Sequence, residues 1–164
     1  MMSASSWCLA IALTACSVAG AASQINAPPA LSPALRAHIE KEPLGIVTSI
    51  RGLPLGVRDE LQTLFGTPSL SIAEPGTPFQ VTDVVINPNL PSRRLVAAGC
   101  STDHCLVYYE RGGIAHTWQA ALFHWTPAAT RFEWGGSAPA GLKTIEDVRN
   151  AILSGAIKGG NKFW

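Results

Sequence analysis

Leu95-Val96-Ala97-Ala98-Gly99-Cys100-Ser101-Thr102-Asp103-His104-Cys105-Leu106-Val107-Tyr108-Tyr109 is the stretch on which the fold turns. Two apolar runs, Leu95 to Ala98 and Leu106 to Tyr109, flank two cysteines separated by four polar residues. That pattern reads as a β-hairpin whose loop is closed at its neck by a Cys100–Cys105 disulfide, because facing residues of a hairpin bring their Cα atoms within bridging range. A C-x₄-C spacing matches neither the thioredoxin C-x-x-C nor a zinc half-site. Asp103 and His104 have ligand chemistry, but a polar loop tip explains them, and neither a metal nor a cofactor is expected.

Outward from this hairpin, the period of two continues from Leu70 to Trp134, interrupted by Pro, Gly and Asn. Candidate strands cover 69–73, 81–86, 93–100, 105–111, 115–125 and 131–135. Helical signals lie on either side. Ser32-Pro33 opens a helix as N-cap and first position, with Leu35 and Ile39 on one face and Pro43 as its stop. A second helix runs from about Val57 to Phe65, with Gly66 at its C-terminus. A third starts at Thr144, which pairs with Asp147 in a capping-box pattern, and Gly155 ends it. The expectation is an α+β fold: an antiparallel meander sheet of about five strands, with the N-terminal helices and one C-terminal helix packed on one face.

Turn lengths then assign the faces. With the 101–104 loop, Ala98 faces Val107 and Val96 faces Tyr109. With a two-residue Gly112-Gly113 turn, Tyr109 faces His116 and Val107 faces Trp118. With a 126–130 loop, Leu122 faces Trp134 and His124 faces Phe132. One face then gathers Val96, Ala98, Val107, Tyr109, Trp118, Ala120, Leu122, Phe132 and Trp134 as a core. The other carries Leu95, Leu106, Tyr108, Glu110, Thr117, Gln119, Phe123, Trp125 and Glu133, and is mixed, with more aromatic surface than solvent alone favours. A slip of one residue would exchange the two sets.

The N-terminus carries an address. Trp7 to Ala15 is an apolar run of h-region length, too short to span a bilayer, followed by the small residues Ala19 to Ser23. Residues 1–23 therefore read as a signal peptide. Leu13-Thr14-Ala15-Cys16 resembles the lipobox of bacterial lipoproteins, and on that reading 1–15 is the signal and Cys16 is lipidated. Residues 24–33 read as an Ala/Ser/Pro tether, and 34–164 as a single globular domain. The segment before the h-region has no Lys or Arg, which is unusual for an export signal. Two of the four cysteines fall in the signal, which leaves Cys100 and Cys105 for the bridge, in keeping with an oxidising compartment. The protein is thus expected to be exported, to the periplasm or as an outer-membrane-attached lipoprotein.

Composition narrows function more than it names it. The chain has 164 residues, 14% of them charged, and a net charge of +1, which offers no electrostatic motive for nucleic acid or an anionic membrane as partner. Membrane association is expected only through a lipid anchor. The densest polar cluster is Tyr108-Tyr109-Glu110-Arg111-Gly112-Gly113-Ile114-Ala115-His116, where Glu110 and His116 could serve as an acid–base pair. No nucleophile motif accompanies them, and the hairpin register above sets them on opposite faces. Arg93-Arg94 is a weak anion grip, His38 reads as a solvated helix residue, and His124 as a partly buried one. The 155–164 segment reads as a loose tail with an aromatic end.

The leading expectation is a non-catalytic cell-envelope protein that binds a protein partner, of inhibitor or immunity type. The chain resembles small exported bacterial inhibitors and immunity proteins in size and disulfide use. The clasped loop Ser101, Thr102, Asp103 and His104 would insert into the partner at reduced entropy cost, with Tyr108, Phe123 and Trp125 as aromatic anchors. A structural or small-ligand-binding lipoprotein is the alternative, and a small hydrolase the least favoured reading.

Overall fold

The computed structural model describes residues 31–159. The signal, Cys16, most of the tether and the tail beyond Gly159 lie outside the described residues. Three helices and six strands follow one another as α1 (Pro33–Lys41), β1 (Gly45–Val47), α2 (Leu55–Phe65), β2 (Arg93–Cys100), β3 (His104–Arg111), β4 (Thr117–Trp125), β5 (Thr130–Ala138), α3 (Ile145–Leu153) and β6 (Lys158–Gly159). The strands form one antiparallel sheet in chain order, β1 to β6, so every connection joins spatial neighbours. This is the expected α+β meander. The two added edge strands are only three and two residues long, too short to show as a period of two.

The helices form where their caps dictate. Ser32 accepts a hydrogen bond from Leu35 N at the start of α1. Thr144 and Asp147 close a reciprocal capping box at the start of α3, satisfying two amides that would otherwise lack partners. Helix α2 ends at Gly66, whose φ of 63° is left-handed. Val57, Leu61 and Phe65 of α2 are buried, as are Ile145, Val148, Ala151 and Ile152 of α3.

These helices do not share a face. Helices α1 and α3 pack on one side of the sheet against Leu106, Tyr108, Ala120, Leu122 and Trp134. Helix α2 packs on the other side against Leu95, Val107, Tyr109, Ala121 and Phe123. The sheet is therefore the middle layer of three, which corrects the expectation of helices on one face only. It also explains the near-continuous burial of β3, all of which is buried save Arg111. A strand covered on both sides reads as an unbroken apolar run rather than an alternating one.

A bulge and a turn explain the altered faces. Cys100 pairs with Cys105 and Ala98 with Val107 as expected, but a β-bulge follows, so that Leu95 rather than Val96 lies opposite Tyr109. At the far end, β3 and β4 are joined by residues 112–116, and Glu110 pairs with Trp118, Tyr109 with Gln119 and Val107 with Ala121. The expected partners Tyr109–His116 and Val107–Trp118 are thus displaced by three positions, an odd number, and the faces exchange.

Gly112-Gly113 serves a different purpose from a two-residue turn. A Cβ on Gly112 would stand 1.9 Å from the carbonyl oxygen of Gln80 and 2.6 Å from that of Val81. The amides of Gly112 and Gly113 donate instead to Ser92 O and Val81 O, at 2.8 and 3.0 Å. The glycines let the 80–92 segment lie against the hairpin end. That segment, with 69–73, forms single parallel bridges (Ala73–Arg94 and Thr82–Gly113) in place of the expected strands 69–73 and 81–86. Prolines 68, 75, 78, 88 and 91 break up the stretch, and Val84, Val85 and Ile86 are exposed.

Candidate functional site

The disulfide is where the hairpin places it. Cys100 and Cys105 face each other across β2 and β3 with Cα atoms 4.0 Å apart. Within the loop, Ser101 N donates to His104 O at 2.7 Å, and Ser101 Oγ accepts from His104 N at 3.1 Å. The four-residue tip is therefore held both covalently and by its own hydrogen bonds. Thr102 is its exposed residue, and its hydroxyl lies 3.4 Å from Glu42 Oε1.

His104 is not at a solvent tip. It opens β3, is buried, and sits on the α1/α3 face at the centre of a polar cluster. Its Nδ1 lies 2.9 Å from Asp103 Oδ1 and its Nε2 lies 3.0 Å from Glu133 Oε2. His38 comes from α1, with its ring centroid 4.3 Å from that of His104 and its Nε2 3.2 Å from Asp103 Oδ1. His124, the β4 partner of His104, is 5.2 Å away ring to ring and meets Arg131 Nη1 at 3.3 Å through its Nδ1. Arg131 also donates to Glu133 at 2.5 Å. Three of the chain's four histidines thus converge with two carboxylates and an arginine, and all of these but Asp103 line a cavity of about 330 Å³.

Local structure brings these groups together. His104 and His124 are cross-strand neighbours, so they share a face by register. Glu133 falls at a register shift in β5, between the pairs Leu122–Trp134 and Phe123–Phe132. The shift pairs His124 with Arg131 rather than the expected Phe132. It also frees Glu133 from strict alternation, so its carboxylate reaches the His104 side that regular pleating would deny it. The hydrogen bond from His104 is the largest influence on Asp103 and holds its carboxyl below the usual range, against the opposing effect of burial.

The aromatic anchors fare differently. Tyr108 and Phe123 are fully buried and belong to opposite faces, in the α1/α3 core and the α2 core respectively. Trp125 is partly buried beside the α2 core. These three cannot form one exposed patch, because helices cover both faces of the sheet, including the one the sequence reading left without a helix. Of the expected partner-binding residues, Ser101, Thr102, Asp103 and His104 are brought together; Tyr108, Phe123 and Trp125 are not.

At the other end of the same face, Glu110 is buried between Arg94 and His116. Arg94 Nε stands 2.5 Å from its Oε1 and His116 Nε2 stands 2.9 Å from its Oε2. His116 also stacks on Trp118 at 4.2 Å. The pair expected on opposite faces therefore meets, because the five-residue 112–116 connection changes the register. Both oxygens of Glu110 are engaged, so it is poorly placed to activate water. Arg93 lies over the Phe65 ring at 4.1 Å and is buried, so the Arg93-Arg94 pair serves the core and Glu110 rather than a free anion.

Among the described residues, no helix is long and apolar enough to cross a membrane. No protein-family model, curated protein or solved structure matches the chain.

Proposed function

We propose that this chain is an exported, non-catalytic binding protein of the bacterial cell envelope, periplasmic or lipid-anchored through Cys16, and that it recognises its partner with the disulfide-clasped end of the sheet. The observation that carries the reading is the convergence at that end. A covalent bridge, the internal hydrogen bonds of Ser101 and the His104–Asp103–Glu133 network hold one set of polar groups in a single geometry. Pre-organisation of this kind lowers the entropy cost of binding, which favours an inhibitor or immunity role. The Cys100–Cys105 bridge and the apolar N-terminal run support export.

A small-ligand reading has its own support in an apolar groove of about 450 Å³ along Leu44, Ile46, Val96, Ala97 and Ile145. Hydrolysis is disfavoured by the double engagement of Glu110.

The test is capture from native envelope extract with the purified chain as bait, alongside a Thr102→Arg variant that alters only the exposed tip. Retention of one protein in near-equal amount, lost with the variant, supports the reading. Equal retention by both proteins, or none by either, removes the clasped end as a partner site.

A further inference from the structure

The cluster at the clasped end has a geometry that an ion-pair network alone does not require. One side-chain donor from each of His38, Asp103 and His104 lies within 4.8 Å of the other two. Asp103 Oδ1 stands 2.9 Å from His104 Nδ1 and 3.2 Å from His38 Nε2. Ligands about 2.0 to 2.2 Å from a tetrahedral ion are themselves about 3.3 Å apart, so the donors already stand close to the spacing of a coordination shell. We propose that His38, Asp103 and His104 bind one divalent transition-metal ion of the zinc type, with Glu133 as the positioning residue. The inference rests on the reading of the clasped end as the binding end, and it names a ligand for it.

Three further observations bear on this assignment. His38 Nε2 is buried and forms no hydrogen bond, although Asp103 Oδ1 is 3.2 Å away. An imidazole nitrogen withdrawn from water without a hydrogen-bond partner is costly, and a metal ion would satisfy it. Next, His104 turns its other nitrogen to Glu133 at 3.0 Å, the arrangement by which carboxylates fix the ring of a metal-bound histidine. Arg131 holds Glu133 from behind at 2.5 Å. Last, the donors come from α1 and from a loop clamped by the disulfide, so little ordering remains when an ion arrives.

The donor set selects the ion class. Two imidazoles and one carboxylate suit zinc, copper(II), nickel or cobalt, whereas calcium and magnesium take oxygen ligands. Three protein ligands leave a fourth tetrahedral position, and the cavity of about 330 Å³ beside His38, His104 and Glu133 gives room for water or a partner's side chain there. A partner that supplied the fourth ligand would join the metal and the binding function.

The experiment is Co²⁺ titration of the full chain after chelator treatment, read by visible absorbance and then by displacement with Zn²⁺. Expected is one equivalent per chain, with the intense bands of a tetrahedral site, reversed by Zn²⁺. His38→Ala, on the side of α1 that faces His104, and Asp103→Ala should each weaken uptake about 100-fold or more, and Glu133→Gln about 10- to 100-fold with the bands retained. Far-ultraviolet circular dichroism identifies any variant that fails to fold, and His38→Ala alone then decides. Absence of saturable uptake by the folded parent overturns the proposal, as does uptake that His38→Ala leaves unchanged. If uptake is absent while the Thr102-dependent partner is captured, the metal assignment fails and the binding function stands. If uptake is present without a captured partner, the metal assignment stands and the partner reading fails.

Discussion

Tyr108 and Tyr109 are adjacent in the chain, fully buried, and turned to opposite faces of one sheet. Tyr108 packs in the α1/α3 core, and its hydroxyl donates to Pro139 O at 2.7 Å. Tyr109 packs in the α2 core edge-on to Phe65, and its buried hydroxyl has no hydrogen-bond partner. Neighbouring aromatics can both be core only where the sheet is covered on both sides.

The two hydroxyls should therefore answer differently to removal. Tyr108→Phe loses a hydrogen bond and strands the Pro139 carbonyl, for a cost of about 1 to 2 kcal/mol. Tyr109→Phe removes a buried polar atom that lacks a partner and should change stability by about 0.5 kcal/mol or less, or raise it. Urea unfolding of the two variants, compared at an unchanged denaturant slope, measures both. Equal losses would show that the Tyr109 hydroxyl is bonded in solution.

Alkaline pH gives an independent test, because these are the chain's only two tyrosines. Burial pushes the Tyr108 phenol up to about 12, and burial likewise pushes Tyr109 well above its ordinary value. In the unfolded chain both ionise near pH 10. Stability from the neutral phenols is thus complete below about pH 10 and is lost as pH rises toward the folded values. At about pH 10 the native protein should show little phenolate absorbance, and phenolate should appear together with loss of the tryptophan signal. Half-ionisation at pH 10 with the fold intact would contradict the burial.

The helices and the hairpin with its disulfide were legible in sequence because their signals are local. Ser32-Pro33, Thr144 with Asp147, Gly66, and the four-residue Cys100–Cys105 loop each act within a few positions. Face assignment was not legible, since it hung on Gly112-Gly113. A glycine pair at a hairpin end has two physical uses, a tight turn and close backbone approach, and only the distant Gln80–Ser92 segment decides between them. The histidine cluster was hidden for a related reason. His38 joins it through helix packing and Glu133 through a β-bulge, and neither is a spacing in the chain. One available clue was the placement of His104 and His124 at hairpin ends directed toward the same edge.

Glu110 with His116 tests the corrected register. Glu110→Gln leaves Arg94 and His116 without their carboxylate, and about 2 kcal/mol of stability should go. That figure is set below the usual loss for a buried pair because the Arg94 and His116 side chains are 29% and 32% exposed. His116→Asn should cost less, and the double variant should fall short of the sum by about 0.5 to 1 kcal/mol, measured as a double-mutant cycle by chemical unfolding. Strict additivity would mean that the two side chains do not meet.

Removal of the disulfide should loosen the clasped end and leave the sheet standing. The bridge closes a loop between positions five apart, and the chain-entropy relation assigns so short a closure about 2 kcal/mol. The β2–β3 ladder continues without it from Gly99–Leu106 to Arg93–Arg111, and both cores press on β3 beyond the loop. In the Cys100→Ala/Cys105→Ala variant, amide exchange should therefore accelerate at Ser101 and His104 while Val107 and Tyr109 stay protected. The same variant should bind metal more weakly than the parent, since Asp103 and His104 must then be ordered when the ion arrives. Exchange that rises equally along β3 would show instead that the bridge holds the whole hairpin, and the clasped end would lose its claim to separate pre-organisation.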